Sequence, residues 1–154
     1  MKKSDEYYIK AAIKEAKKAY KKGEVPVGCV IVIDDDIIAS AHNLREARKN
    51  TIAHAEILAI DKACRKLGRS ILDDATIYIT LEPCLMCVGA IMQARMKRVV
   101  YGAAEPKFGA LGSIIDVSET DGFNHKIEVA RGVLADEASS LMKSFFRELR
   151  ERKD

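Results

Sequence analysis

No stretch of this chain reaches the roughly 18 to 20 consecutive apolar residues that cross a bilayer. The N-terminal MKKSDEYYIKAAIKEAKKAY also lacks an unbroken apolar core of signal-peptide length. No membrane partner is expected, and the expected compartment is the cytoplasm. A disulfide framework is not expected either. Four cysteines stand unevenly at positions 29, 64, 84 and 87, and a reducing compartment opposes such bridges. Internal repeats, low-complexity tracts and linkers are missing. At 154 residues the chain suits a single domain, 1–154, around one core. Net charge is only +3, too small to establish a nucleic-acid partner. Its distribution is uneven, however. Residues 2–22 carry eight lysines against Asp5, Glu6 and Glu15, and residues 143–153 add Lys143, Arg147, Arg150, Arg152 and Lys153. Taken alone, such runs are usually solvated helix faces.

The apolar residues that are present fall into two periods. Ile9, Ala12, Ile13, Ala16, Ala19 and Tyr20 recur at helical spacing after Ser4, a plausible N-cap, until Gly23. VGCVIVI and IIASA, separated by Asp34, Asp35 and Asp36, read as a β-hairpin around an acidic turn. AHAEILAIDKACRKLG is helical with Gly68 as its stop, ATIYITL alternates as a strand, and CLMCVGAIMQARM is helical again. KRVVYGA is a short strand and KIEVARGVL a weaker one. Asp136 then caps a final helix with Leu141, Met142, Phe145, Phe146 and Leu149 on its apolar side. Strands alternating with crossover helices after a hairpin call for a three-layer α/β/α domain, its sheet largely parallel beyond the hairpin and helices on both faces. The longest irregular stretch, from Glu105 to about His125, is functional or mobile.

TLEPCLMC, residues 80–87, places two thiols three apart after a proline. Such a pair can be a redox couple, half of a structural zinc site, or part of a catalytic metal centre. Cys84 and Cys87 would open a helix that follows a strand, so both sulfurs lie on one face at a positive helix end that favours thiolates. His54 sits in the first turn of the other crossover helix. One imidazole and two thiolates suit tetrahedral zinc rather than magnesium or calcium. Cys64 lies about 15 Å along the helix from His54 at 1.5 Å per residue, too far to join. Cys29 is embedded in an apolar strand, and His42 and His125 fall outside any ligand spacing. The fourth position is therefore expected to be open to water. Glu56, two residues from His54, would be the proton shuttle that such a water needs. Nothing in these motifs asks for an organic cofactor.

His54-Ala55-Glu56 followed by Pro83-Cys84-Leu85-Met86-Cys87 matches the zinc nucleobase deaminase signature H-x-E…P-C-x-x-C, of which bacterial TadA is itself a known bearer. VPVGCVIV, AHAEILAI, LEPCLMC, KFGALGS, the NH at 124, and GVLADE followed by FFR extend the likeness across nearly the whole chain. In these features the chain resembles the bacterial tRNA-specific adenosine deaminases, within the zinc-dependent cytidine/deoxycytidylate deaminase superfamily. The resemblance implies a cytidine-deaminase-like fold with a five-stranded mixed sheet, a homodimer, and hydrolysis of adenosine to inosine at the wobble position of a tRNA anticodon. It also implies one Zn²⁺ per subunit on His54, Cys84 and Cys87, with Glu56 as proton donor and acceptor. Asn43 and the backbone amide of Ala55 would hold the purine. The RNA partner is an anticodon stem-loop, whose single-stranded bases are readily splayed out. Lys107, Phe145, Arg147 and Arg150 are candidates to contact it, with core packing as the plain alternative for Phe145. Two departures bear on recognition. Asn50-Thr51-Ile52 stands where the family has an Asp-Pro-Thr pattern, and Glu105 replaces an aspartate that touches the nucleotide's sugar.

Two rivals follow from the same residues. One is a zinc deaminase of a free base or nucleoside, guanine or cytosine. The other is a noncatalytic zinc-stabilised module or a CxxC redox protein. A redox pair needs neither His54 nor Glu56, and a structural zinc site needs a fourth protein ligand.

Overall fold

Val30 and Val32 of the first strand point one way, Cys29 and Ile31 the other, and all four are buried. A strand apolar on both faces must be covered on both, and this one is. The computed structural model describes residues 2–153, so the first and last residues of the expected 1–154 domain lie outside the described residues. The elements run α1 (Asp5–Lys21), β1 (Gly28–Ile33), β2 (Asp36–His42), α2 (Ala55–Leu67), β3 (Thr76–Leu81), α3 (Leu85–Gln93), β4 (Arg98–Ala103), β5 (Glu128–Ala130) and α4 (Ala135–Lys153), with a short 3-10 turn at Val117–Glu119. The five strands form one sheet in the order β2-β1-β3-β4-β5. β1 is antiparallel to β2 and β3, while β3–β4 and β4–β5 are parallel. This is the five-stranded mixed sheet of the cytidine-deaminase-like fold.

Each face has its own apolar cluster. Tyr8, Ile9 and Ile13 of α1 pack on Val30, Val32, Tyr78 and Val100. On the other face Ala55, Ala59 and Ala63 of α2, with Val88 and Ile91 of α3, pack on Ile31, Ile77, Ile79 and Val99. α1 begins at its expected cap, where the Ser4 hydroxyl accepts from the Tyr7 amide at 3.2 Å. The hairpin turns through Asp34 and Asp35, both at positive φ (49° and 65°). That left-handed pair suits the right-handed twist of the strands. α2 stops at Gly68, whose φ of 66° reverses the chain.

Some expectations shift. α3 begins one residue after Cys84, which is its N-cap, and His54 likewise caps α2 rather than entering its first turn. The weak strand shrinks to Glu128–Ala130. Asp136 does not cap α4. The chain turns at Gly132 (φ 75°) and Leu134 (φ 54°), so the helix starts at Ala135 and Asp136 lies inside its first turn, where its charge still suits the helix dipole. Nor is the apolar side of α4 uniformly buried. Phe145 is 7% exposed, whereas Phe146 and Leu149 are 38% and 37% exposed. No helix of the described residues is long and apolar enough to cross a membrane.

Candidate metal centre

Two helix N-termini converge on one point because α2 and α3 both cover the same face of the sheet. Neither cap side chain closes its own helix, since His54 and Cys84 make no capping hydrogen bond and turn toward each other instead. His54 Nδ1 stands 3.7 Å from Cys84 Sγ and 3.5 Å from Cys87 Sγ. The three donor atoms all lie within 4.8 Å of one another, and no fourth acid, imidazole or thiol of the described residues joins them.

The charges at this point are unsettled in a way a dication would resolve. The Cys84 thiol is held down to about 4, first by its hydrogen bond with Cys87 and then by the His54 imidazole. Cys87 is pushed strongly upward by the same Cys84 sulfur and by burial. His54 is raised, chiefly through Cys84. Zinc at about 2.3 Å from sulfur and 2.0–2.1 Å from nitrogen, with tetrahedral angles, sets sulfur and nitrogen about 3.5 Å apart. The observed separations match that span, so the donor set fits zinc in type and spacing.

Glu56 is 4% exposed beside this cluster, and its carboxyl is raised above the ordinary range first by desolvation. It lies on the floor of an open cleft of about 410 Å³ that His54, Ala55 and Cys84 also line. Of the residues expected to meet a nucleotide, Asn43, Ala55 and Glu105 line the cleft. The Asn43 side chain is 8% exposed and fixed at both ends: Nδ2 donates to the Val25 carbonyl at 3.3 Å and Oδ1 accepts from the Arg45 amide at 3.1 Å. Ala55 opens α2 and lines the cleft, so its N–H has no intrahelical partner and lies at a positive helix end. Glu105 is held by its own loop, accepting from the Lys107 amide at 3.0 Å.

The other four expected contacts stand apart. Lys107, Arg147 and Arg150 are exposed and line no part of the cleft. Phe145 turns inward, its ring 5.7 Å from Tyr20 in an edge-on contact, so it is core in this chain. Its neighbours on α4, Met142 and Phe146, line the cleft instead, as do Arg45 and Phe108. The sequence offered no signal separating Phe145 from Phe146, because adjacent helical residues lie about 100° apart and only the docking angle of α4 decides which faces inward.

The remaining cysteines and histidines behave as expected. Cys29 is buried and donates weakly to the Ala55 carbonyl at 3.4 Å. His42 pairs with Glu15 at 3.0 Å, and His125 donates to the Met96 carbonyl at 2.6 Å. One buried group escaped the sequence reading. Glu82, the carboxylate just before Pro83, is 2% exposed and accepts from the amides of Glu105, Leu111 and Ser113, each at 3.0 Å. Burial works to raise its pKa, yet these donors and the Ser113 hydroxyl bring it below the ordinary value. A charged residue closing a strand that is otherwise buried is the signal that could have flagged it.

A family model describing MafB19-like deaminases matches residues 3–150. The tRNA-specific adenosine deaminase of Bacillus subtilis (strain 168) is 54% identical over 149 residues, spanning 97% of this chain and 92% of that protein. A solved structure from work on A-to-I editing by tRNA:A34 deaminases at the wobble position superposes with a TM-score of 0.84 at 38% identity, covering 88% of this chain and 98% of its own. The guanine deaminase of Bacillus subtilis is more distant, with a TM-score of 0.64 and 32% identity over 97% of this chain and 95% of its own. With a cytidine-deaminase-like sheet, a His-Cys-Cys cluster and relatives this similar end to end, the chain belongs to the tRNA-specific adenosine deaminase family.

Proposed function

We propose that this chain is a hydrolase that converts adenosine to inosine at the wobble position of tRNA anticodons, using one zinc ion held by His54, Cys84 and Cys87. The observation that carries the reading is the convergence of three zinc-type donors, two of which, His54 and Cys84, line one open cleft together with the buried Glu56. Bound there, zinc would act as a Lewis acid that makes water nucleophilic near neutral pH. The chain's own residues supply the rest. Glu56 moves protons, first to N1 of the purine and then to the departing amine, and burial keeps its carboxyl able to hold a proton. Asn43, already locked at both ends, presents a fixed amide to the base, and the Ala55 N–H adds a donor from the start of α2. Glu105 accepts from the sugar, and Phe146 offers a face for a splayed base. Lys107, Phe145, Arg147 and Arg150 belong to the wider RNA contact, where Phe145 acts by supporting its neighbour Phe146, 5.3 Å away.

The protein acts in the cytoplasm as a homodimer. Leu85, Ile114 and Phe123 are each more than half exposed, apolar residues that suit burial against a second copy. An ammonia-release assay on the zinc-loaded protein tests the reaction. Turnover is expected with an anticodon stem-loop RNA and not with free guanine, cytosine or adenosine. Turnover of free guanine without RNA turnover would overturn the proposal.

A further inference from the structure

Glu82 directly follows β3, and a single distant loop fills both of its carboxylate oxygens. Oε1 accepts from the Glu105 amide at 3.0 Å and from the Ser113 hydroxyl, while Oε2 accepts from the amides of Leu111 and Ser113, both at 3.0 Å. The loop also closes on the turn that carries the metal ligand. The Ala110 amide donates to the Pro83 carbonyl at 3.0 Å, and Gly109 forms an isolated bridge with Cys84. The wrapping is tight. A Cβ on Gly109 would overlap the Glu82 carboxyl and stand 2.5 Å from the Glu105 carbonyl oxygen, although Gly109 does not adopt a left-handed φ. Glycine is required there for space, not for backbone freedom.

This loop brings Glu105 and Phe108 into the cleft, and Cys84 lines its other side. We infer that Glu82 is a positioning residue for the reaction: its carboxylate fixes the 105–113 loop against the Cys84 turn, and so sets where Glu105 and Phe108 meet the bound nucleotide. The inference rests on reading the cleft as the nucleotide site. Only a carboxylate does this job. A glutamine would press its NH₂ against the Leu111 and Ser113 amides in one orientation and against the Glu105 amide in the other, where only the Ser113 hydroxyl could turn to accept. The substrate need not touch Glu82, because its oxygens are already occupied by the loop.

The test uses the full, zinc-loaded chain and four variants: Glu82→Gln, Gly109→Ala, Ser113→Ala and a Glu105→Ala/Phe108→Ala pair. Amide hydrogen exchange, zinc stoichiometry, and kcat and KM for an anticodon stem-loop are measured for each. For Glu82→Gln, exchange at Glu105, Leu111 and Ser113 is expected to quicken about tenfold while the core amides of α2 and α3 are unchanged. KM is expected to rise about tenfold, with kcat within about threefold and one zinc per chain retained. Gly109→Ala should shift the same quantities in the same direction. Placed on the Glu105→Ala/Phe108→Ala background, Glu82→Gln should raise KM by less than about threefold, because the groups it positions are already gone. Ser113→Ala removes one donor with little volume change and should show the same pattern at smaller size, so the inference stays testable if Glu82→Gln does not fold. Unchanged exchange in the loop, or a KM effect fully additive with the pair, would overturn it. If the wild-type chain turns over no RNA, the proposed reaction fails, and the exchange rates still decide whether Glu82 holds the loop.

Discussion

Glu56 on the floor of the cleft and Glu82 in its wall are both almost fully buried, at 4% and 2% exposure, and desolvation pushes on both. The outcomes are opposite. Glu56 is raised, because desolvation and the Cys84 sulfur outweigh its own amide, the His54 imidazole and the Cys87 thiol. Glu82 is lowered, because three amides and a hydroxyl converge on its oxygens. Burial alone therefore does not decide the state of a carboxylate; the donors that accompany it do. The floor keeps a group ready to exchange protons, and the wall spends an equally buried group on holding a loop still.

The largest expected effect breaks the floor. Glu56→Ala should lower kcat by about 10² to 10⁴ if its role is proton transfer, with zinc by elemental analysis remaining at one per chain. Loss of the metal together with activity would instead make Glu56 a structural support of the cluster. A smaller effect sharpens the contrast through stability. In metal-free protein Glu82→Gln should destabilise by roughly 1–3 kcal/mol, since buried donors lose their acceptor. Glu56→Gln should shift the urea midpoint less, because no loop amide depends on its carboxyl as an acceptor. Equal losses from both would show that the two regions are not different in kind.

The smallest effect lies on the far side of the sheet. Asp5 at the start of α1 receives both Arg98 nitrogens, at 2.8 and 2.9 Å, and the Tyr78 hydroxyl at 3.0 Å. The Arg98 hydrogen bonds hold its carboxyl below the ordinary value of 3.8. A carboxyl depressed in the folded state adds stability that is present above its unfolded pKa and fades as pH falls through the folded one. Asp5→Asn should therefore lower stability by about 1 kcal/mol at pH 7, and the difference from wild type should close below about pH 3.8. Melting temperatures measured across that range check it, and a gap that persists in acid would reject the ion pair as its source.

Much of the fold was legible because its signals are local. Ser4 as a cap, Gly68 as a stop and the three aspartates of the hairpin turn each act through their own backbone, whatever surrounds them. Where an outcome depended on docking, the pattern fell short. The FF pair on α4 reads as one apolar side, yet Phe145 packs on Tyr20 while Phe146 lines the cleft. Asp136 has cap chemistry, but positive φ at Gly132 and Leu134 moves the helix start past it.

The metal cluster divides along the same line. Residue type and spacing by themselves determined that His54, Cys84 and Cys87 could share one zinc ion and that Glu56 would stand near it, because a helix start presents such donors in a predictable direction. Only the tertiary structure decided the cleft around them. The loop carrying Glu105 and Phe108 is contiguous in sequence but has no period of its own, and it takes its shape from Glu82, more than twenty residues upstream of Glu105. A hydrogen bond between residues that far apart leaves no repeat in the chain for a reader to find; it exists only once the sheet has brought both ends together.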